Sequence, residues 1–194
     1  MQAKNKKRVN LYLDGRFACG LEAITVLKYN LQVGQEIDDD RLNEICLDSE
    51  TSTAFDKAIR HLEFRIHSQK EMEVFLSQKG FLPIVIDTVI AKLKDYKYID
   101  DQAFATQFVS SYQKKFGRDR LRYELQNRGI STDIIDTVTD DLDSSETINN
   151  LIQKKYKGDK RKLIDFLARR GFDYDTILPL VEKFLKDLKD TEQS

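Results

Sequence analysis

At 194 residues, 40% hydrophobic and 34% charged with a formal net charge of −1, the chain has the composition of an ordinary soluble helical protein and excludes disordered and collagen-like classes. No apolar run approaches the roughly 18 residues of a membrane span, and the basic start, Met1 to Arg8, has no apolar stretch behind it, so neither export nor an anchor is expected. Eight Gly and two Pro favour long helices joined by short turns, and two cysteines without a CxxC pair, Cys19 and Cys46, predict buried thiols in a reducing cytoplasm.

In chain order, Val9 to Leu13 alternates, Asp14-Gly15 follows and Arg16 to Leu21 resumes, which predicts a β-hairpin on a type I′ turn. A lone hairpin is marginal in water, so it should pack on the helices after it or on a partner. From Glu22 to Leu31, Ala23, Val26, Leu27 and Leu31 suit a short helix stopped at Gly34. Asp38, Asp39 and Asp40 then precede Leu42, Ile45 and Cys46. Without alternating oxygen ligands, a loop glycine or a distal Glu they read as an N-cap and first-turn charge, not as a calcium loop.

From Thr51 onward the chain repeats itself. Aligned on Gly80, Gly129 and Gly171, the flanks agree without gaps: Met72, Leu121 and Leu163 stand eight before, Leu76, Leu125 and Leu167 four before, and Lys79, Arg128 and Arg170 one before. Beyond each glycine come Phe81, Ile130 and Phe172, then Ile86, Ile135 and Ile177, then Val89, Val138 and Leu180, and finally Leu93, Leu142 and Phe184, the stripe of a third helix. Ahead of each lies an opening helix. Phe104, Phe108 and Tyr112 share one face of the second copy, matched by Phe55 and Ile59 and by Ile148, Ile152 and Tyr156. Thr51, Asp100 and Ser144 are its expected N-caps, and Gly117 is expected to stop the second copy's opening helix. Pro83 and Pro179 should fall in or near the first turn of a third helix, with Pro179 standing late enough to shift that helix start or kink it. The expected fold is therefore mainly α: three tandem three-helix repeats at 51–97, 98–143 and 144–194 in an elongated, curved arrangement, preceded by a hairpin and short helices at 1–50.

Charge is segregated along this frame. From Lys114 to Arg128 six basic residues oppose two acidic, and from Lys154 to Arg170 eight oppose two, whereas Ser131 to Thr147 holds six acidic residues and no basic one. The equivalent stretch of the first repeat, Arg65 to Lys79, is nearly balanced and reads as scaffold. Lys114, Lys115, Arg118, Arg120 and Arg122, with Lys154, Lys155, Lys157, Lys160, Arg161 and Lys162, are the candidates for contact with phosphate or acidic protein. Lys79, Arg128 and Arg170 suit the negative ends of their helices instead, and Tyr112 and Tyr156 suit the core better than base stacking. Catalytic chemistry finds no foothold. The two histidines, His61 and His67, lie six apart with no metal-ligand spacing around them, and phosphate-loop, dinucleotide and nucleophile-elbow motifs are absent, so no enzyme, metal or cofactor is expected.

The chain resembles the RecX family of bacterial RecA regulators. The resemblance is carried by Tyr98-Ile99-Asp100-Asp101 with Phe104-Ala105, then Gly117, Arg120, Leu121, Glu124, Leu125 and Arg128-Gly129-Ile130. Ala58, Leu62, Ser68, Glu71, Leu76 and Lys79-Gly80-Phe81 look like the family's preceding segment, and Asp14-Gly15 with Val33-Gly34-Gln35-Glu36 looks like the N-terminal extension of Gram-positive members. His67 departs from the family pattern, where arginine is commoner, as does Lys115-Phe116 before Gly117. The resemblance implies a non-enzymatic, cytoplasmic modulator that binds the groove of the RecA–DNA filament and limits its recombinase, ATPase and coprotease activities. The expected partners are RecA and, electrostatically, single- or double-stranded DNA, with the protein itself a monomer. Two other classes fit the residues: a stand-alone nucleic-acid-binding protein using its three-helix units as helix-turn-helix modules, and an α-repeat adaptor for another protein.

Overall fold

A computed structural model describes residues 8–192, so the basic segment 1–7 discussed above lies outside the described residues. Two strands and ten helices follow in chain order, mainly α as expected, and they pack as two units, Met1–Ile99 and Asp100–Ser194.

In the first unit β1 (Arg8–Leu13) pairs antiparallel with β2 (Arg16–Glu22), and positive φ at both Asp14 (48°) and Gly15 (76°) makes the connection the expected type I′ turn. Leu11 pairs with Cys19 but Tyr12 with Phe17, which leaves Ala18 as a bulge. Helix α1 (Ala23–Lys28) ends well before Gly34, contrary to expectation. Asn30, at φ 47°, takes the left-handed position instead, with Leu31 N–H donating to Val26 O at 3.0 Å.

Helix α2 (Asp39–Leu62) starts as expected, with Asp38 Oδ1 accepting from Arg41 N–H at 2.8 Å. It then runs unbroken for 24 residues, so Thr51 is no cap; it is an interior residue only 4% exposed. The cap-like residues around it have other partners. Ser49 Oγ accepts from the Glu22 N–H at 2.8 Å, and Thr53 Oγ1 donates to Ser49 O and Glu22 Oε1, so the polar stretch of α2 is turned toward β2. The same packing overturns the reading of the cysteines. Cys19 on β2 and Cys46 on α2 are bonded to each other across a Cα separation of 6.3 Å, and neither is fully buried. At a sequence separation of 27, only the docking of strand on helix brings them together.

Helices α3 (Gln69–Gln78) and α4 (Pro83–Asp95) complete the first repeat around Ala54, Ala58, Met72, Leu76, Val89 and Leu93, with Pro83 at the first helical position. The second unit holds α5 (Asp101–Tyr112), α6 (Arg118–Asn127) and α7 (Thr132–Thr139), then α8 (Ser145–Lys155), α9 (Lys160–Ala168) and α10 (Tyr174–Glu192). Each triplet closes its own core, on Phe104, Leu121, Leu125 and Ile135 in one and on Ile148, Leu163, Leu167 and Ile177 in the other. The stop glycines behave alike. All have φ near 80°, and the residue after each returns an N–H to the leucine four before it: Phe81 to Leu76, Ile130 to Leu125 and Phe172 to Leu167. The paired hydrophobic residues are those of a Schellman closure.

Local details correct the repeat scheme. Asp100 caps α5 through Ala103 N–H at 3.0 Å, but Ser144 makes no side-chain cap bond, and Asp143 Oδ1 instead accepts from Ser145 N–H at 2.9 Å. Helix α7 ends at Thr139, so Leu142 packs on the core from beyond it. Pro179 is interior to α10, whose start is fixed further back by Asp173 accepting from Thr176 N–H at 2.8 Å.

Gly117 does not stop α5, which ends at Tyr112; it is the N-cap of α6, in ordinary extended geometry (φ −77°). Its lack of a side chain serves packing. A Cβ there would stand 2.2 Å from Gly171 O, and one on Gly171 would stand 2.3 Å from Arg120 N. Across this contact Gly117 N–H donates to Arg170 O at 2.8 Å and Asp119 N–H to Gly171 O at 3.1 Å. The free N–H groups opening α6 thus satisfy carbonyls just past α9, positive helix end to negative.

Candidate functional site

The eleven basic candidates occupy the same two places in the second and third repeats. Lys114 and Lys115 lie in the turn before α6, with Arg118, Arg120 and Arg122 on it; Lys154, Lys155 and Lys157 lie at the end of α8 and the turn after it, with Lys160, Arg161 and Lys162 opening α9. The structure does not merge the two groups. The turn before α6 meets the far end of α9, where Arg170 Nη1 donates to Lys115 O at 3.1 Å, so roughly the length of α9, about 13 Å, separates them.

The groups also differ in how much of their charge is free. On α6, Arg118 pairs with Asp140, and Arg122 reaches Asp136 at 2.5 Å and Thr139 Oγ1 at 3.1 Å. Arg120 takes Glu124 at 2.6 Å, and Glu124 also accepts from Arg128 at 2.7 Å. Arg128 above all, with Arg120, holds the Glu124 carboxyl below its usual range. The acidic α7 therefore compensates the basic α6 within the same repeat, a match the charge tally indicates only as alternating blocks. Arg120 lies against the Phe116 and Tyr123 rings, 5.9 and 5.4 Å from their centroids.

In the third repeat Lys160 meets Glu182 at 3.3 Å and Lys162 meets its own N-cap Asp159 at 3.3 Å. Lys154, Lys155, Lys157 and Arg161 have no acidic partner among the described residues, and all four are exposed. Lys155, Lys157 and Lys162 line a cavity of about 300 Å³ with Asp159, over a floor of Leu163 and Phe166. This is the largest uncompensated positive charge among the candidates, and a polyanion or an acidic protein surface matches it.

The cation before each stop glycine does more than complement a helix end. Lys79 stands over Phe75, Arg170 over Phe166 and Arg128 over Phe108, at 5.4, 4.5 and 4.7 Å from the ring centroids. The signal is legible in two repeats, since Phe75 and Phe166 each lie five before the glycine. Tyr156 packs edge-on to Phe184 at 5.4 Å as expected of a core residue, while Tyr112 stands within a run of rings from Phe104 through Phe108 to Phe116 and is itself exposed.

The histidines sit together, although their spacing suggests separate faces. The chain turns back after α2, so His61 stacks on His67 at 4.1 Å and on Phe75 at 3.8 Å, and His67, 4% exposed, has Nδ1 3.3 Å from Glu71 Oε2. Burial first, then the Arg65 charge, lowers both imidazole pKa values. Burial pushes Glu71 upward, but its bond to Arg65 at 2.8 Å and the surrounding charges outweigh this and keep it ionised. No three metal-binding side chains converge among the described residues, and no described helix is long and apolar enough to cross a membrane.

Comparison with known proteins bears on this frame as a whole. Four family models match in order: "Regulatory protein RecX N-terminal domain" over residues 1–38, then "RecX, first three-helix domain" over 54–93, the second over 100–138 and the third over 143–181. The "Regulatory protein RecX" of Bacillus subtilis (strain 168) is 33% identical across 99% of this chain and 78% of its own length, and that of Clostridium tetani 30% identical across 95% and 92%. A crystal structure of regulatory protein RecX superposes with a TM-score of 0.70 at 22% identity, covering 95% of each chain. RecX from Lactobacillus salivarius gives 0.61 at 24%, covering 69% of this chain and 96% of that one. At those identities the structural likeness speaks for the fold.

Proposed function

The chain belongs to the RecX family of regulatory proteins, and from that membership we propose that it binds the RecA–DNA filament and limits the recombinase, ATPase and coprotease activities of RecA. It acts as a cytoplasmic, monomeric, non-enzymatic regulator in recombination and repair. The single observation that carries the reading is the match of all four family segments in order along one chain. The uncompensated lysines at the end of α8 and the cavity beside α9 support a contact with acidic filament surface or DNA phosphate. The pairing of Arg118 and Arg122 with α7 disfavours a helix-turn-helix reading of the second repeat, because those side chains already have carboxylate partners.

The test is RecA ATPase and strand exchange on single-stranded DNA, titrated with the pure protein to stoichiometric ratios. Both should fall in proportion to added protein, and an unchanged rate in both sinks the proposal. Tight, sequence-dependent gel shifts of duplex DNA without RecA would instead favour the stand-alone DNA-binding class.

A further inference from the structure

We propose that the outer face of the N-terminal hairpin is a stacking platform for the unpaired bases of single-stranded DNA, built from residues other than the lysines of α8 and α9. Side-chain alternation gives the hairpin two unlike faces. Val9 and Leu11 pair with Leu21 and Cys19, and that side is tied down on α2 through the Cys19–Cys46 bond and the burial of Leu21. The opposite side presents Tyr12 and Phe17, a cross-strand pair whose rings meet edge-on at 5.9 Å while 56% and 60% exposed. Opposed strands hold the two rings in place, and their edge-on contact leaves ring faces open.

Charge marks the same segment. From Met1 to Leu21 the basic residues Lys4, Lys6, Lys7, Arg8 and Arg16 oppose a single acid, Asp14. Neither Arg8 nor Arg16 has a carboxylate partner among the described residues. Arg8 donates from Nη2 to Gly20 O at 3.1 Å but its Nε finds no acceptor, so the guanidinium still has donors to give. Arg8 stands four strand residues, about 13 Å, before Tyr12, and Arg16 adjoins Phe17, so cations bracket the rings along the chain. Open rings between uncompensated cations suit a single strand, whose bases stack whatever their identity and whose phosphates meet the cations. Other occupants fit less well. A duplex keeps its bases stacked on one another, and an anionic membrane would meet the turn first, where Asp14 stands. An acidic protein surface would engage the arginines and leave the ring faces unused. The site deepens the filament reading, which supplies the choice of DNA over RNA, while the platform itself rests on the hairpin alone.

The experiment is anisotropy binding of the full chain, without RecA, to a labelled oligothymidylate, to an abasic strand of the same length and to a duplex. Wild type should bind the oligothymidylate about tenfold more tightly than the abasic strand, which keeps the phosphates and lacks the bases. Tyr12→Leu/Phe17→Leu keeps apolar bulk and removes the rings; it should lose about that factor on oligothymidylate, with abasic and duplex binding, salt slope and Tm unchanged. Arg8→Gln/Arg16→Gln should instead lower the salt slope by about 1.4, at about 0.7 for each phosphate contact on a single strand. The comparison of natural with abasic strand needs no substitution, so it decides the matter even if a hairpin variant folds poorly. Equal wild-type affinity for the two strands overturns the platform. So does a leucine variant that binds oligothymidylate as wild type does, one that loses duplex binding equally, or one whose only loss is on anionic phospholipid vesicles. Any of these with RecA ATPase still inhibited strikes the hairpin site alone and leaves the filament reading standing.

Discussion

Replacing Gly117 by alanine separates steric contact from backbone conformation more cleanly than any other change in this fold. At φ −77° alanine is at ease, so the whole effect must come from its Cβ, placed 2.2 Å from Gly171 O and 2.4 Å from Phe172 N. All its neighbours there are backbone atoms and cannot rotate away; ordinary contact requires a shift of about 1 Å between the second and third repeats. That shift disrupts the bonds from Gly117 N–H to Arg170 O and from Asp119 N–H to Gly171 O, and with them the reach of Arg170 to Lys115 O. At about 1 kcal/mol net for each hydrogen bond, Gly117→Ala should cost about 2–3 kcal/mol, or roughly 5–10 °C in Tm for a chain of this size. Gly80→Ala is the control. Nothing lies within 4 Å of its Cβ, but φ is 85°, so only the left-handed penalty of about 1 kcal/mol applies. Gly171→Ala suffers both effects and should be the worst of the three. Urea denaturation of the three variants gives the order; a Gly117→Ala protein as stable as wild type within about 0.5 kcal/mol refutes the account of the junction.

Other outcomes follow from the same structure. Stability should fall as pH drops below about 6.5, because His61 and His67 have folded-state pKa values below their unfolded ones, so the unfolded chain takes up protons first; His67→Asn should flatten that part of a thermal-denaturation pH profile. Neutralising Lys154, Lys155 and Lys157 together should lower the salt slope of filament binding by up to about 3, whereas neutralising Arg118 and Arg122, already paired, should change it little; the reverse order in a binding titration would show that the α6 arginines leave their carboxylates to bind. Asp100→Ala should cost about 1 kcal/mol by chemical denaturation through loss of the α5 cap, while Thr51→Val, which removes the hydroxyl and keeps the shape at a position that caps nothing, should show no cap-like loss.

What was legible in the sequence is what neighbouring residues decide among themselves. The glycine, the leucine four before it and the apolar residue after it define each Schellman closure within six residues, and the Asp14-Gly15 turn needs only two. The misreadings concern residues whose role is settled by a distant segment. Thr51 has the chemistry of a cap, but Ser49 and Thr53 beside it bond to Glu22, which the local pattern cannot show. Gly117 reads as a stop until Gly171 is placed against it, and Cys19 and Cys46 read as separate until β2 docks on α2. Composition alone marks the basic candidates, and composition does not carry the fact that Asp136 and Asp140 stand across from Arg122 and Arg118. A finer signal was present, since the acidic block begins directly after the basic helix it neutralises.

Helix α2 makes the hairpin and the first repeat mechanically one piece. Its N-terminal half carries Ile45, Cys46 and Ser49 beneath the strands, its C-terminal half contributes Ala54 and Ala58 to the first repeat's core, and no loop intervenes in a rod of about 36 Å. A pull on the strands is therefore delivered along a stiff beam into the packing of Met72 and Leu76 rather than absorbed by a joint. A cut at residue 50 would not remove a tail, because it passes through the middle of a helix that both the hairpin and the first repeat's core use.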